Sequence, residues 1–422
     1  MSQEINELLK EVTKAVSASN EQTAASQELG QEVAGKMAQL DKKADDAIAL
    51  AEKAFNDNVD ALTDYAIEGH KKAIEDASGG RNTILIDAQG NPNIMVRIQR
   101  FNYEDLNEAI LTRTGVDLQL GTGTPTMFMD NGTSRSEVYI AKYLASAGAN
   151  GGCSVVGGVQ PRTSVNYDVA KALCTDKGAG WHMMSIHEWA AIALWSLANN
   201  TVPRGNTNYG RSHENKLETA RRSDNGMPGD SSGTGRTDTG KGPDTWAHDH
   251  GAFGVQDLVG NVNEWLDQMK LDNGQIITTL DNNPSINEAN WHRHGAYFDS
   301  TSDSMAGTGN VGAPVLSNTI IKRNGPINDD SHDYPYAHNA HFATIGKSAG
   351  YAPVELMRRL LIESASPTTV AGAIYVRNYG DRFPLRGGGW SYGSYAGLGM
   401  LYLNYSRSSA NSSIGFRPAF FV

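Results

Sequence analysis

The first part of the chain constrains the fold most, because it reads as a helix that needs partners. Residues 5–77 contain no proline and are rich in Ala, Glu, Lys, Asp and Gln. Apolar residues recur there at steps of three and four, which is typical of a coiled-coil seam. A lone helix with so thin an apolar stripe is marginal in water. The seam residues are Val33, Met37, Leu40, Ala44, Ala47, Ala51, Phe55, Val59, Leu62 and Ala66.

We therefore predict a helical coiled-coil stalk over residues 1–80 that forms a parallel homo-oligomer, with a homotrimer as the expected state. The glycines at 79 and 80 stop the helix. The polar stretch 17–26 indicates a hinge or a change of register, because it separates the seam from an earlier apolar phase at Ile5, Leu9, Val12 and Val16. The alternative is a single helix folded back on the rest of the chain.

Length and charge exclude several classes of protein. The 422 residues suffice for more than one domain, and a net charge of −11 disfavours nucleic acid or an anionic membrane as the main partner. No run of 18 apolar residues predicts a membrane span. The start, residues 1–7, has neither a basic region nor an apolar one, so we expect no signal peptide and synthesis in the cytoplasm. Cys153 and Cys174 are expected to be reduced and buried, with a disulfide as the alternative.

Local signals predict several elements of a body that spans residues 81–422. Two apolar runs around a Gly-Asn-Pro turn predict a hairpin over 83–98. Ser185 and Glu188 have capping-box spacing ahead of an apolar run and predict a helix. The other expected elements are strands near 127–129 and 138–143 and helices over 166–174, 185–198 and 354–362.

Two long polar stretches lack any sustained period. Residues 203–249 are rich in Gly and turn residues, and we expect loops held on a scaffold. Residues 272–348 are also polar and irregular, which is typical of a functional insertion or a covering loop. His248 and His250 have no third ligand at a known spacing, so they indicate zinc only weakly.

The end of the chain has two rigid ends and an unusual middle. Arg386 and three glycines lead into Trp390, and the run IGFRPAFFV closes the chain from residue 414. Thirteen of the twenty-three residues from 391 to 413 are Ser, Tyr or Asn. Tyrosine supplies contact area at low entropic cost, and Ser and Asn supply adaptable hydrogen bonds. Composition alone is as expected for a polar terminal meander, but the rigid ends and the small residues at regular intervals favour a displayed binding surface.

The segment 386–419 resembles the variable region of proteins that are diversified by diversity-generating retroelements. These include phage tropism determinants with a C-type-lectin fold of the formylglycine-generating-enzyme type. The matching positions are Arg386, Gly387, Gly388, Trp390, Gly393, Ala396, Gly397, Leu401, Leu403, Arg407, Ser408, Ile414, Gly415, Phe416, Arg417, Pro418 and Ala419. The resemblance implies an α+β fold, a stalk followed by a C-type-lectin-like ligand-binding domain. It also implies ten variable, receptor-binding positions, namely Ser391, Tyr392, Ser394, Tyr395, Tyr402, Asn404, Tyr405, Asn411, Ser412 and Ser413.

Two further motifs carry the same resemblance. Residues 178–191 read GAGWHMMSIHEWAA, which is similar to a structural signature of the family, so His182 and His187 are expected to pack or cap and not to bind a ligand. Residues 254–265 read GVQDLVGNVNEW and have Asn263 where the family usually has Trp. In the family this loop often holds calcium, which takes six or more oxygen ligands. The resemblance implies a structural calcium ion bound by Asp257, Gly260, Val262 and Glu264.

The family also contains oxidases, whose copper is held by two cysteines after the Arg-Gly-Gly run. Alignment on Arg386 places those positions near Tyr392 and Gly397, and no cysteine follows Cys174. Copper(I) needs soft thiolate ligands. The chain also has no P-loop, no Gly-x-Ser-x-Gly elbow and no His-Glu-x-x-His motif. We therefore expect a protein that is not an enzyme.

The function implied is that of a receptor-binding protein at the tip of a bacteriophage tail fibre. It would contact a host-cell surface receptor, either protein or glycan, through the terminal segment, and other tail proteins through the N-terminal helices. Its place would be the virion. Two alternatives stay open: a diversified ligand-binding protein of a bacterium, and a structural tail protein without receptor contact.

Overall fold

A computed structural model describes residues 2–365 and 370–421, and its description of side chains excludes residues 2, 55, 56 and 58–62. By its internal contacts, the chain divides into two compact units, residues 1–71 and 72–422. No helix in the described ranges is long and apolar enough to cross a membrane. The helices there are α1 (Ser2–Ser78), α2 (Tyr103–Thr114), α3 (Tyr167–Thr175), α4 (Ile186–Ala198) and α5 (Glu355–Arg359).

Helix α1 confirms the predicted N-terminal helix. It runs unbroken to Ser78, where Gly79 and Gly80 follow with positive φ angles that favour glycine. The polar stretch 17–26 does not interrupt it. The described seam side chains of Val33, Met37 and Leu40 are exposed in the single chain. The side chains of Phe55, Val59 and Leu62 lie outside the description. The coiled coil and the trimer stay predictions.

The body contains twenty strands in the described residues, most of them short. They are β1 (Asn82–Ile86), β2 (Pro92–Gln99), β3 (Met129–Asp130), β4 (Thr133–Ser134), β5 (Glu137–Ala141), β6 (Ser146–Ala147), β7 (Cys153–Ser154), β8 (Trp181–Met183), β9 (Asn263–Trp265), β10 (Met269–Asp272), β11 (Gln275–Thr278), β12 (His292–Ser300), β13 (Pro314–Ser317), β14 (Ala337–Asn339), β15 (Gly346–Lys347), β16 (Ile374–Val376), β17 (Asp381–Gly387), β18 (Gly397–Tyr405), β19 (Ile414–Phe416) and β20 (Pro418–Phe420).

The smaller of the two main sheets joins the two ends of the body. Its strand order is β1-β2-β5-β20-β8, with every pair antiparallel. The predicted hairpin is confirmed, since β1 pairs with β2 and Ile84 lies opposite Ile94. The last strand, β20, lies between β5 and β8. Residues 418–420 are therefore part of the small sheet.

The larger sheet has eleven strands and contains most of the predicted insertion. Its main path is β14-β16-β18-β17-β10-β11-β12-β13-β15, and β9 joins β17 to β19. The expectation that residues 272–348 are irregular is wrong for strands β11 to β15. Their pairing with one another and with β16 is made between residues far apart in sequence. Short strands with mixed polarity give little local signal of such pairing.

Helix α4 lies at the centre of the body, with all but two of its thirteen residues buried. The predicted capping box is present: Ser185 Oγ accepts from the Glu188 N–H, and the Glu188 carboxylate accepts from the Ser185 N–H at 2.8 Å. Glu188 also lies 2.8 Å from His182 Nε2, and His187 bonds to two threonine hydroxyls. As expected, both histidines have packing and capping roles.

Other local predictions differ from the structure at their edges, and the strand predicted near 127–129 is mostly a 3-10 turn, Thr126–Phe128. Helix α3 is confirmed, with Asn166 as its N-cap, and α5 is shorter than the predicted range 354–362. Helix α2 was not predicted. Residues 203–249 form turns, bridges and a single 3-10 turn, as the composition indicated. Cys153 and Cys174 are free and buried, as expected.

A buried ion pair fastens the two sheets to each other. Arg417, which lies between β19 and β20, donates to both carboxylate oxygens of Glu264 on β9, each at 2.9 Å. Its remaining donors reach the carbonyls of Ala141 on β5 and Gln256, at 2.9 and 2.8 Å. Arg417 and Glu264 are fully buried. A buried charge that loses its partner is strongly destabilising, so substitution of either residue would lower the stability of the fold.

Replacing Arg417 tests this role. We expect Arg417→Met to lower the free energy of unfolding by about 3–5 kcal/mol, because Glu264 would be left without a partner in the core. Urea unfolding measures the loss. The control is Arg100→Met, which removes an exposed arginine and should change stability by less than about 0.5 kcal/mol. Equal small losses in the two variants would contradict the role of the pair.

A second test concerns the helix seam. We expect Val33→Asp, Met37→Asp and Leu40→Asp together to lower the mass in solution to that of one chain, because charges at seam positions prevent helix packing. Light scattering measures the mass. The control is Lys42→Asp, at a polar position of the same helix. An unchanged mass in the triple variant would contradict the predicted stalk.

Candidate functional site

The terminal segment begins on a buried arginine without a carboxylate partner. Arg386, in β17, donates to the carbonyls of Leu360 and Leu361 at 3.0 and 2.9 Å, and to those of Gly399 and Met400 at 3.4 and 3.2 Å. The first two carbonyls directly follow helix α5, where a cation is favoured. Burial lowers the pKa of Arg386 to about 9. The guanidinium thus ties the end of α5 to the central strand β18.

The glycines after Arg386 turn the chain out to the surface. Gly388 has a φ of +91°, and a Cβ there would lie 2.7 Å from the Cβ of Ala396. Only glycine fits such a close approach without strain. The chain therefore leaves the core after β17, passes through residues 389–395 and returns at Ala396 into β18.

The structure places most of the ten predicted variable positions at the surface. Ser391, Ser394, Tyr395 and Ser412 are exposed, and Tyr392, Asn404, Tyr405, Asn411 and Ser413 are half-buried. They come from the loop before β18, the end of β18 and the loop after it. We call these nine side chains the terminal face.

Tyr402 does not belong to the terminal face. Its side chain is buried, because β18 is a central strand with β16 on one side and β17 on the other. Its ring stacks on Tyr392 with 5.4 Å between ring centroids and meets Tyr375 edge-on at 4.1 Å. The prediction that Tyr402 contacts a receptor directly is therefore corrected: it supports the rings above it.

Asn263 connects the two loops of the terminal face. Its side-chain amide donates to Tyr392 Oη at 3.3 Å and to the Ser413 carbonyl at 3.0 Å, and its backbone N–H donates to the same carbonyl at 2.8 Å. This is the position at which the family usually has Trp. An amide here holds together Tyr392 and Ser413, which are 21 residues apart in sequence, and it stabilises the shape of the face. Its Oδ1 atom is buried and has no partner in the described residues.

The structure adds aromatic residues that the sequence did not reveal. His338 lies 5.3 Å from Tyr395 and 4.1 Å from Tyr375, and His332 lies 5.6 Å from Tyr405, all between ring centroids. Tyr336 lies 5.4 Å from Tyr375. We call His332, Tyr336, His338 and Tyr375 the aromatic wall. No short-range signal could have found it, because strands β14 and β16 bring it to the terminal face from distant parts of the chain.

The structure gives the carboxylates of the predicted calcium site other contacts, and calcium binding stays a prediction. Glu264 uses both carboxylate oxygens on Arg417, so a cation there would have to share them with a buried guanidinium. Asp257 is buried and accepts from the Gly240 N–H, and its other oxygen has no partner. Burial raises the pKa of both carboxyl groups. Among the described residues, no three His, Cys, Asp or Glu side chains are grouped to hold a metal ion.

The geometry of Glu264 yields a prediction for metal removal. We expect the chelator EDTA to leave the melting temperature unchanged within about 1 °C, because Arg417 already neutralises Glu264. Differential scanning fluorimetry with EDTA, and then with excess calcium, measures this. A fall of several degrees in EDTA that calcium reverses would support the calcium site implied by the resemblance and contradict this expectation.

Comparison with known proteins gave matches only among solved structures. No protein-family model and no curated protein matches the chain. "Treponema denticola variable protein 1" is 13% identical over 80% of this chain and 98% of its own, with a TM-score of 0.30. The "Major Tropism Determinant I1 Variant" is 13% identical over 67% of this chain and 50% of its own, with a TM-score of 0.27.

The chain thus spans about half the length of the second match. One match is named as a variable protein and the other as a tropism determinant. These are the classes of protein that the sequence motifs resemble. Because both TM-scores are below 0.5, the fold and the site rest on this chain's own contacts. The mixture of helices and sheets is confirmed, and the C-type-lectin assignment stays an expectation of the motifs.

Proposed function

We propose that this protein binds a host-cell surface receptor through the terminal face, as the receptor-binding protein at the tip of a phage tail fibre. The observation that carries the proposal is the arrangement of the terminal segment. Buried arginines hold both of its ends, and the side chains between them display hydroxyl, amide and ring groups. This is the chemistry of a paratope on a rigid scaffold.

The residues that hold the fold are buried, whereas several positions of the terminal face are exposed to solvent. Arg386, Arg417 and the apolar residues of β18 are buried, whereas Ser391, Ser394 and Ser412 are exposed. Surface substitutions away from such buried features usually change stability little. The exposed positions of the terminal face can therefore vary in sequence while the fold is kept, which is what a diversified binding protein requires.

The long helix supports attachment and avidity. Its exposed apolar residues favour association with further copies of the chain and with other tail proteins. Several weak sites on one stalk bind a cell more tightly than a single site, because each bound site raises the effective concentration of the others. The homotrimer and the position in the virion are parts of this proposal.

Binding, and not catalysis, is the activity that we propose. The positions near which the related oxidases hold copper are Tyr392 and Gly397 in this chain. The two cysteines lie in β7 and α3, and both are buried outside the terminal face. The family's oxidase chemistry therefore lacks its thiolates at this site.

The experiment is a cell-binding assay with substitutions on the terminal face. Labelled protein is added to a panel of intact bacterial strains, and retention is measured by flow cytometry. We expect Tyr395→Ala with Tyr405→Ala to lower the affinity for the strain that binds best by tenfold or more, since aromatic contacts dominate interface energies.

The matched control is Tyr65→Ala on the stalk, where the side chain is 81% exposed. It should bind as the unchanged protein does. Light scattering and melting temperature establish that all variants stay assembled and folded. Unchanged retention of the terminal-face variant would contradict the proposed receptor site.

A further inference from the structure

The aromatic wall lies beside the terminal face but outside the segment that the resemblance calls variable. Its rings contact those of Tyr395 and Tyr405. A ligand that extends beyond these two tyrosines would therefore contact the wall. Tyr336, His338 and Tyr375 are half-buried and His332 is exposed, so each residue keeps some surface accessible to solvent. Two of the ten predicted positions, Tyr395 and Tyr405, thus border a surface that no sequence motif had indicated.

Residues 329–338 form a loop that carries three of the four wall residues, and a buried arginine fixes this loop to the core. Arg382 donates to the carbonyls of Asp329, Asp330 and Ser331, at 2.8 to 3.0 Å. Its Nε also donates to the Tyr379 carbonyl at 2.9 Å. Arg382 is fully buried. The start of the loop is thereby held by three bonds from one side chain.

The rest of the loop is fixed in a similar way. Tyr379 Oη donates to the Tyr334 carbonyl at 3.0 Å, and the Arg377 guanidinium lies 5.6 Å from the centre of the Tyr336 ring. Arg377 also donates to the Asn404 carbonyl at 2.8 Å, which joins the loop to the terminal face. Strand β14 then pairs with β16, with His338 opposite Tyr375. A surface fixed before binding loses little conformational freedom when a ligand arrives.

The wall is uncharged near neutral pH. Partial desolvation, followed by the charges of Arg377 and Arg382, lowers the pKa of His332 to about 4. Burial also lowers the pKa of His338. Both arginines are buried and bond to backbone carbonyls. Asp333, on the same loop, is exposed at the rim. The wall therefore offers ring faces and neutral polar atoms.

Hydroxyl and amide groups of the terminal face border the rings of the wall. The exposed members of the terminal face are three serines and one tyrosine. Flat rings bordered by hydroxyl and amide groups suit the apolar face and the hydroxyl groups of a sugar ring better than an ionised group.

We propose that the aromatic wall is a fixed second half of the binding site, and that it contacts a neutral saccharide of the cell surface. This inference rests on the proposed function of the terminal face and extends it. The terminal face would vary between relatives of this protein, and the wall would supply ring stacking that does not depend on that variation.

The first experiment compares a double variant of the wall with a variant of an exposed histidine in the same insertion. Tyr336→Ala with His338→Ala should lower the affinity for the best-binding strain by tenfold or more, and His341→Ala, which removes an exposed ring, should not. If the wall variant binds normally while the Tyr395 and Tyr405 variant does not, the wall proposal fails and the proposed function stands. If both variants bind normally, both proposals fail.

Loss of affinity could also follow from a disturbed Tyr395, so a second measurement reads contact directly. Tyrosines of the unchanged protein are nitrated with tetranitromethane, free and bound to the same cells, and located by mass spectrometry. We expect binding to protect Tyr336 and Tyr375 several-fold, while Tyr65 on the stalk is nitrated equally in both states. Equal nitration of Tyr336 and Tyr375 with and without cells would overturn the contact.

A third measurement tests the chemistry of the ligand. Cells are treated either with periodate, which cleaves the diols of saccharides, or with proteinase K. We expect periodate to abolish retention and proteinase K to leave it. Retention should also change less than about threefold between 0.05 and 0.5 M salt, because neutral groups are not screened. Loss of retention only with proteinase K, or a steep fall with salt, would overturn the saccharide.

Discussion

The ion pair between Arg417 and Glu264 is the contact on which the body of this protein depends. It links β9 of the large sheet to the backbone of β5 in the small one, and it lies between the last two strands. The charges are buried, so their separation would cost several kcal/mol. Because Arg417 is also the closing end of the terminal segment, the same pair that joins the sheets fixes one end of the proposed binding site.

The site uses arginine repeatedly as a connector to backbone carbonyls. Arg386 joins α5 to β18, and Arg382 holds the loop that carries the aromatic wall. The planar guanidinium carries five donors, so one side chain can satisfy carbonyls from several segments. This suits a body whose strands are short and whose loops are long. Because these arginines hold the backbone, the exposed side chains of the terminal face and the wall are not needed to hold the fold.

The sequence predicted what depends on neighbouring residues and on motifs. The helix α1, the hairpin of β1 and β2 and the capping box at Ser185 have local causes, and all three are present. The motifs around Arg386 and Arg417 located the ends of the terminal segment. The burial of Tyr402 and the position of the aromatic wall depend on β16 pairing with β18 and β14, which no local pattern encodes. The calcium site was inferred from the resemblance, and the partner of Glu264 was visible only in three dimensions.

A photo-crosslink tests whether the terminal face touches the receptor. A benzophenone amino acid is placed at Ser394 of the terminal face, or at Leu217, which is 91% exposed in a loop of residues 203–249. Each protein is bound to the best-binding cells and irradiated. We expect a crosslinked product from position 394 and none from position 217. A product from position 217 without one from position 394 would contradict this expectation.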